Sequence, residues 1–157
     1  MVQQINEPVW LRSMVFVDAH DEDIIMGLAK LKPDAICWDL EDSTPLKFKA
    51  KARKLFPKLA KEVHGMGIKV MARINPGMEL EDLDAVVIPE LHCAQISKAC
   101  NATDVIEVAK LVSLLEKERG LPTNHILIRP VVETAAGVKW SYEIASASPR
   151  VAYMGGV

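Results

Sequence analysis

The chain of 157 residues lacks most features that announce a specialised class. Charge of one sign is missing: 19 Lys and Arg face 21 Asp and Glu, a formal net charge of −2. That balance removes the electrostatic ground for nucleic-acid binding, which needs a basic face. No apolar run approaches the roughly 18 residues of a membrane span. The opening MVQQINEPVW has neither a basic start nor an apolar stretch, so no secretion signal is expected. The three cysteines, Cys37, Cys93 and Cys100, form no C-x-x-C pair and predict reduced thiols in a cytoplasmic protein. His20, His64, His92 and His125 show no metal-ligand spacing, and His92 beside Cys93 reads as structural rather than as a zinc pair. Gly65-Met66-Gly67 precedes a strand instead of following one, so it is not a dinucleotide fingerprint.

What is present is a repeated strand-then-helix. Strands are expected at Ser13–Val17, Ala35–Leu40, Lys69–Ile74, Ala94–Ser97 and Ile126–Val132, with a sixth opening at Val151–Tyr153. The first helix is expected to bury Ile24, Ile25, Leu28 and Leu31, and the second to carry Phe48, Ala52, Leu55, Leu59 and Val63, with Pro57 kinking or dividing it. A further helix carries Val105, Val108, Val112 and Leu115, and another runs from Thr134 to Ser146. Apolar strands joined by crossover helices indicate an α/β fold with a covered parallel sheet. Length favours an open doubly wound sheet over a (β/α)8 barrel, since eight units at about 26 residues would need about 210.

In either fold the chemistry sits at the carboxyl ends of the strands. Asp18 and His20 follow strand one, and WDLEDST puts Asp39, Glu41 and Asp42 after strand two. Arg73 and then Asn75 close strand three, Lys98 strand four, and Glu133 and Thr134 strand five. Carboxylates converging with one Arg suggest a hard-cation site beside an anion site. Glu133 suits Mg²⁺, and the planar fork of Arg73 suits a substrate carboxylate. Plainer readings stand beside these. The acidic cluster can cap the next helix, and Glu133 can sit in a capping box. Alternation along the strand puts Asp39 and Glu41 on one face, with Asp42 elsewhere. Lys98 as an imine-forming lysine would need a depressed pKa. The seven basic residues from Lys47 to Lys61 read chiefly as a solvated face, or as a surface for the phosphates of a nucleotide-bearing substrate.

The segments LRSMVFV, AICWDLEDSTPLKFKAKAR, MARINPG, VVETAAG and SASPRVAYMGG, in this order, resemble the citrate lyase β-subunit family, also called the HpcH/HpaI aldolase family. It includes citryl-CoA, malyl-CoA and citramalyl-CoA lyases. The resemblance implies a (β/α)8 TIM-barrel fold, incomplete here at about six strands and five helices. Residues 1–157 would then be the N-terminal part of one barrel domain, with exposed sheet edges that invite association. It further implies a Mg²⁺-dependent carbon–carbon lyase acting between an acyl-CoA and a short 2-oxo acid, and a homo-oligomer, a trimer. Arg73 would hold the oxo-acid carboxylate, Glu133 would contact metal and substrate, and Glu41 with Asp42 would support the catalytic Arg. A second metal carboxylate would lie beyond Val157. Asp18 stands where the family commonly has Pro, and Ser97 and Cys100 replace a Pro and a Glu around Lys98. The alternative is a non-catalytic module that binds CoA esters or another small ligand.

Overall fold

A computed structural model describes residues 8–156. The beginning of the stretch read for a secretion signal, and Val157, lie outside the described residues. Six strands run β1 (Met14–Asp18), β2 (Ala35–Asp39), β3 (Lys69–Ile74), β4 (Leu91–Ile96), β5 (Leu127–Val132) and β6 (Gly155–Gly156). Between them lie α1 (Glu22–Ala29), α2 (Leu46–Gly65), α3 (Glu79–Val86), α4 (Ala102–Glu118), α5 (Ala135–Lys139) and α6 (Ser141–Ala145).

All neighbouring strands pair in parallel, in the order β1-β2-β3-β4-β5-β6. A doubly wound sheet reverses its order at a switch point, whereas a barrel keeps strands consecutive. The fold is therefore an open half-barrel, and the length argument for a doubly wound sheet is overturned.

The pleat gives the sheet two different faces. Ile36, Trp38, Val70, Ala72, Ala94 and Ile128 point outward and pack with Phe56, Leu59, Val63 and Val108 of the helices into one core. Ala35, Cys37, Met71, Cys93 and Leu127 point inward and form a second, smaller cluster in the lumen. Burial pushes the Cys37 thiol up to about 12 and Cys93 up as well, so neither lumen thiol is a nucleophile. All three cysteines are free.

Several expected elements shift. The α1 face that is buried is Ile25 and Ala29, while Ile24 and Leu31 face solvent. Pro57 lies inside α2 without dividing it. The α3 helix was not expected, yet its Leu83 and Val86 are fully buried. The stretch from Thr134 to Ser146 is two short helices meeting at Trp140. Val151 makes an isolated bridge to Ile128, and the sixth strand itself comes later, at Gly155–Gly156. No helix among the described residues is long and apolar enough to cross a membrane.

Candidate active site

Parallel register lines up one row of polar side chains across the sheet. Asp39 pairs with Arg73, Arg73 with Gln95, and Gln95 with Arg129. Each lies two residues beyond the lumen cluster on its own strand, so all four belong to the inward face.

Arg73 is the hub of the row. Its Nε donates to Asp39 Oδ1 at 2.7 Å and its Nη2 to Asp39 Oδ2 at 2.5 Å, while Phe16 underlies the guanidinium at 5.2 Å. Nη1 lies 3.1 Å from Glu41 Oε2 and 3.5 Å from Asp42 Oδ2. Burial alone would drive the Asp39 carboxyl up, but the Arg73 and Ser43 hydrogen bonds outweigh it and hold it below the usual carboxylate range. Burial likewise opposes the Arg73 charge, and Asp39, Glu41 and Asp42 together raise its pKa. Two sequence readings change here. Asp39 takes the Nε/Nη2 edge of Arg73, and Glu41 and Asp42 stand in ion-pair contact with Nη1, so a substrate carboxylate approaches the Nη1/Nη2 edge and shares Nη1 with these acids. Asp42 does not point elsewhere but converges on the same guanidinium as Asp39 and Glu41. Nor does the acidic cluster cap α2, whose N-cap is Pro45 with no side-chain bond.

Lys98 joins the two sides of the mouth. Its ammonium pairs with Glu41 Oε1 and lies 3.7 Å from Asp42, while its backbone N–H donates to Glu133 Oε1 at 2.8 Å. The φ of 52° at Lys98 is left-handed, a conformation a non-glycine residue adopts only when its surroundings impose it. The hydrogen bond to Glu41 holds the Lys98 ammonium above its ordinary range, the opposite of what an imine-forming lysine needs. Glu133 is not a helix cap: Thr134 caps α5 by accepting from Gly137 N at 3.0 Å, which leaves Glu133 turned toward Lys98.

Below this rim lies a buried network that the reading of a solvated basic face overlooked. Lys49 is buried, and its Nζ donates to Leu40 O at 2.6 Å, to Glu41 O at 2.8 Å and to Asn75 Oδ1. Asn75 also donates to Asp82 Oδ2 at 2.7 Å, and Arg53 donates to Asp82 Oδ1 at 2.7 Å. Its helical spacing from Ala52 and Phe56 was the available signal that Lys49 faces inward. Arg129 was also passed over. A lone charge in the apolar run ILIRPVV carried the same warning as Arg73 did in KVMARI. Asp18 closes β1 in register with Asp39, and His20 stacks on Phe48 at 4.3 Å.

Metal fit is a matter of donor chemistry. Mg²⁺ takes one or two protein carboxylates and fills its octahedron with water and substrate oxygens. Glu133 at the mouth suits that partial role. No group of three or more His, Cys, Asp or Glu able to hold a metal occurs among the described residues, so a closed protein cage of the zinc type is not formed there.

Comparison with known proteins gives the site a context. The family model HpcH/HpaI aldolase/citrate lyase matches residues 12–155. Citrate lyase subunit beta of Haemophilus influenzae is 29% identical over 143 residues, 89% of this chain and 49% of that protein. The malyl-CoA/beta-methylmalyl-CoA/citramalyl-CoA lyase of Chloroflexus aurantiacus is 31% identical over 149 residues, 89% of this chain and 42% of that protein. Among solved structures, protein CitE from Mycobacterium tuberculosis in complex with magnesium, acetoacetate and coenzyme A superposes with a TM-score of 0.61 at 25% identity, covering 91% of this chain and 46% of that one. The chain spans about half the length of the curated relatives it matches.

Proposed function

This chain belongs to the HpcH/HpaI aldolase/citrate lyase family, and on that premise we propose that its protein is a Mg²⁺-dependent carbon–carbon lyase. Its substrate is a 3-hydroxyacyl-CoA of the citryl-, malyl- or citramalyl-CoA kind, split into an acyl-CoA and a short 2-oxo acid. The observation that carries this reading is the convergence at one mouth of the Asp39-held Arg73 and the Glu133 carboxylate, linked through Lys98 and Glu41. A 2-oxo acid needs both an anion-binding fork for its carboxylate and a hard cation for its carbonyl.

Arg73 takes the oxo-acid carboxylate on its Nη1/Nη2 edge, and Asp39 fixes the guanidinium plane through the other edge. Glu41 and Asp42 steady Nη1 and the Lys98 ammonium, so the cationic edge is oriented before substrate arrives. Glu133 is the residue in this chain that would hold Mg²⁺, which when bound supplies Lewis-acid polarisation of the 2-oxo carbonyl. In the cleavage direction the carbon–carbon bond between the hydroxyl-bearing carbon and the thioester's α-carbon breaks. The hydroxyl loses its proton and becomes the 2-oxo carbonyl, and the thioester fragment leaves as an enolate that is then protonated.

The Haemophilus influenzae and Chloroflexus aurantiacus relatives are named as lyases, and the Mycobacterium tuberculosis neighbour was crystallised with magnesium and coenzyme A. Both support turnover over a purely ligand-binding role. The homo-oligomeric and cytoplasmic character expected of the family accompanies the proposal.

The test is product identification by mass spectrometry with the protein purified as it is encoded. Citryl-, malyl- and citramalyl-CoA are each supplied with Mg²⁺ or with EDTA. The reading expects an acyl-CoA and a 2-oxo acid from at least one thioester with Mg²⁺ alone. Stable binding of the thioesters without any product would leave the binding module as the better account.

A further inference from the structure

The row Asp39–Arg73–Gln95–Arg129 carries two guanidinium groups with opposite surroundings. Arg73 has a bidentate carboxylate on one edge and two further acids at 3.1 and 3.5 Å. Arg129 is half-buried on the same face, and its hydrogen bond runs from Nη1 to Gln95 Oε1, a neutral amide. Among the described residues it has no carboxylate within ion-pair distance. A guanidinium withdrawn from water with one neutral partner is an unbalanced charge, and such a charge is costly unless an anion meets it.

Its surroundings keep the guanidinium in place. Gly155 in β6 lies directly against it: a Cβ at that position would come within 3.0 Å of Arg129 Nη2 and 3.1 Å of Cζ. Gln95 is itself buried and holds Nη1 from the β4 side. Arg129 is thus fixed in the lumen between β4 and β6, two strands from Arg73. At the usual strand spacing that is roughly 10 Å between the two backbones, and two arginine side chains reaching inward close most of that gap.

We infer that Arg129 is a specificity-determining residue that binds a second carboxylate, so that the oxo acid handled here is a dicarboxylate. The inference rests on the proposed function, in which Arg73 takes the carboxylate beside the 2-oxo group. The distal carboxylate then meets Arg129 Nη2 and Nε. A monocarboxylate such as pyruvate satisfies Arg73 and leaves Arg129 as it is.

The experiment is equilibrium binding of oxaloacetate and of pyruvate, each with Mg²⁺, to the protein as encoded and to Arg129→Met and Arg129→Lys. Pyruvate serves as the control for a folded site. The expected result is oxaloacetate bound at least tenfold more tightly than pyruvate. Arg129→Met should weaken oxaloacetate about 10- to 100-fold while pyruvate moves less than twofold. Arg129→Lys should fall between, because an ammonium keeps the charge but not the fork. Equal weakening of both acids would make Arg129 a structural cation and overturn the inference. Insensitivity of both acids to Arg129→Met would overturn it as well, with the lyase reading intact. Binding of neither acid to the unaltered protein would overturn the lyase reading, and this inference with it.

Discussion

Asp39 and Arg73 occupy registered positions on β2 and β3, and Arg73 donates two hydrogen bonds to the Asp39 carboxylate, at 2.7 and 2.5 Å. Register puts the two side chains on one face, and the planar guanidinium turns that adjacency into a fixed orientation. The Nη1/Nη2 edge is thereby aimed into the mouth, where Glu41 and Asp42 meet it. Arg73→Lys removes the fork while keeping the charge. Pyruvate affinity should drop about 10- to 100-fold in calorimetric titration. Unchanged affinity would take Arg73 out of the substrate site.

Glu133→Ala removes the candidate metal carboxylate and the acceptor of the Lys98 N–H at once. Binding of Mn²⁺ as a paramagnetic stand-in for Mg²⁺ should weaken at least about tenfold, the cost expected when a charged ligand contact is lost. Electron paramagnetic resonance titration reads this without turnover. Metal affinity equal to that of the unaltered protein would show that Glu133 is not a ligand.

His92 lies beneath the site, its Nε2 3.0 Å from Tyr153 Oη, while Tyr153 in turn bonds the backbone of Val9 at 2.9 and 3.1 Å. Burial, with the nearby Lys69 and His125 charges, lowers its pKa to about 4. The unfolded chain, with an imidazole near 6.5, binds the proton more readily than the folded one. Its contribution to stability is therefore complete above about pH 6.5 and lost as pH falls toward 4. A loss on the order of 2–3 kcal/mol is expected over that window in urea unfolding. His92→Gln should flatten it; an equal slope in the variant would assign the effect to other groups.

Lys49→Met leaves Leu40 O, Glu41 O and Asn75 Oδ1 without their shared donor in a buried place. Unfolding free energy should fall by about 2–4 kcal/mol. Because the Glu41 backbone is one of the released groups, pyruvate affinity should also weaken. Stability within about 0.5 kcal/mol of the unaltered protein would mean that these carbonyls find other partners.

Gly137 is required by a neighbour rather than by its own backbone angles. A Cβ there would collide with the carbonyl oxygen of Ala99, in the turn that sets Lys98 at its left-handed φ. Gly137→Ala should cost about 1–3 kcal/mol and loosen the Lys98–Glu133 contact. Thermal unfolding measures the first, and proteolysis at the turn the second. Wild-type values for both would show that α5 can shift at no cost.

The strands were legible because apolar runs such as AICWDL, buried along their whole length, stand out between amphipathic helices, and their alternation with those helices indicated an α/β chain. The α3 helix was not legible: eight residues with acids at Glu79, Glu81, Asp82 and Asp84 resemble a polar loop, and the buried Leu83 and Val86 are too few to show a period. Lys49 was hidden among six basic neighbours, of which Lys47, Lys51, Lys54, Lys58 and Lys61 are exposed and Arg53 is partly buried. Strand-end carboxylates and Arg73 could be named from position alone. Which acid meets which base depends on register, and that is a property of paired strands rather than of any one segment.

A crystal structure of the protein as encoded, grown with Mg²⁺ and pyruvate, tests the arrangement most directly. The account expects Glu133 to coordinate the metal and the Nη1/Nη2 edge of Arg73 to contact the pyruvate carboxylate, with Asp39 still on the opposite edge. Metal bound away from Glu133, or pyruvate bound without Arg73, would contradict it.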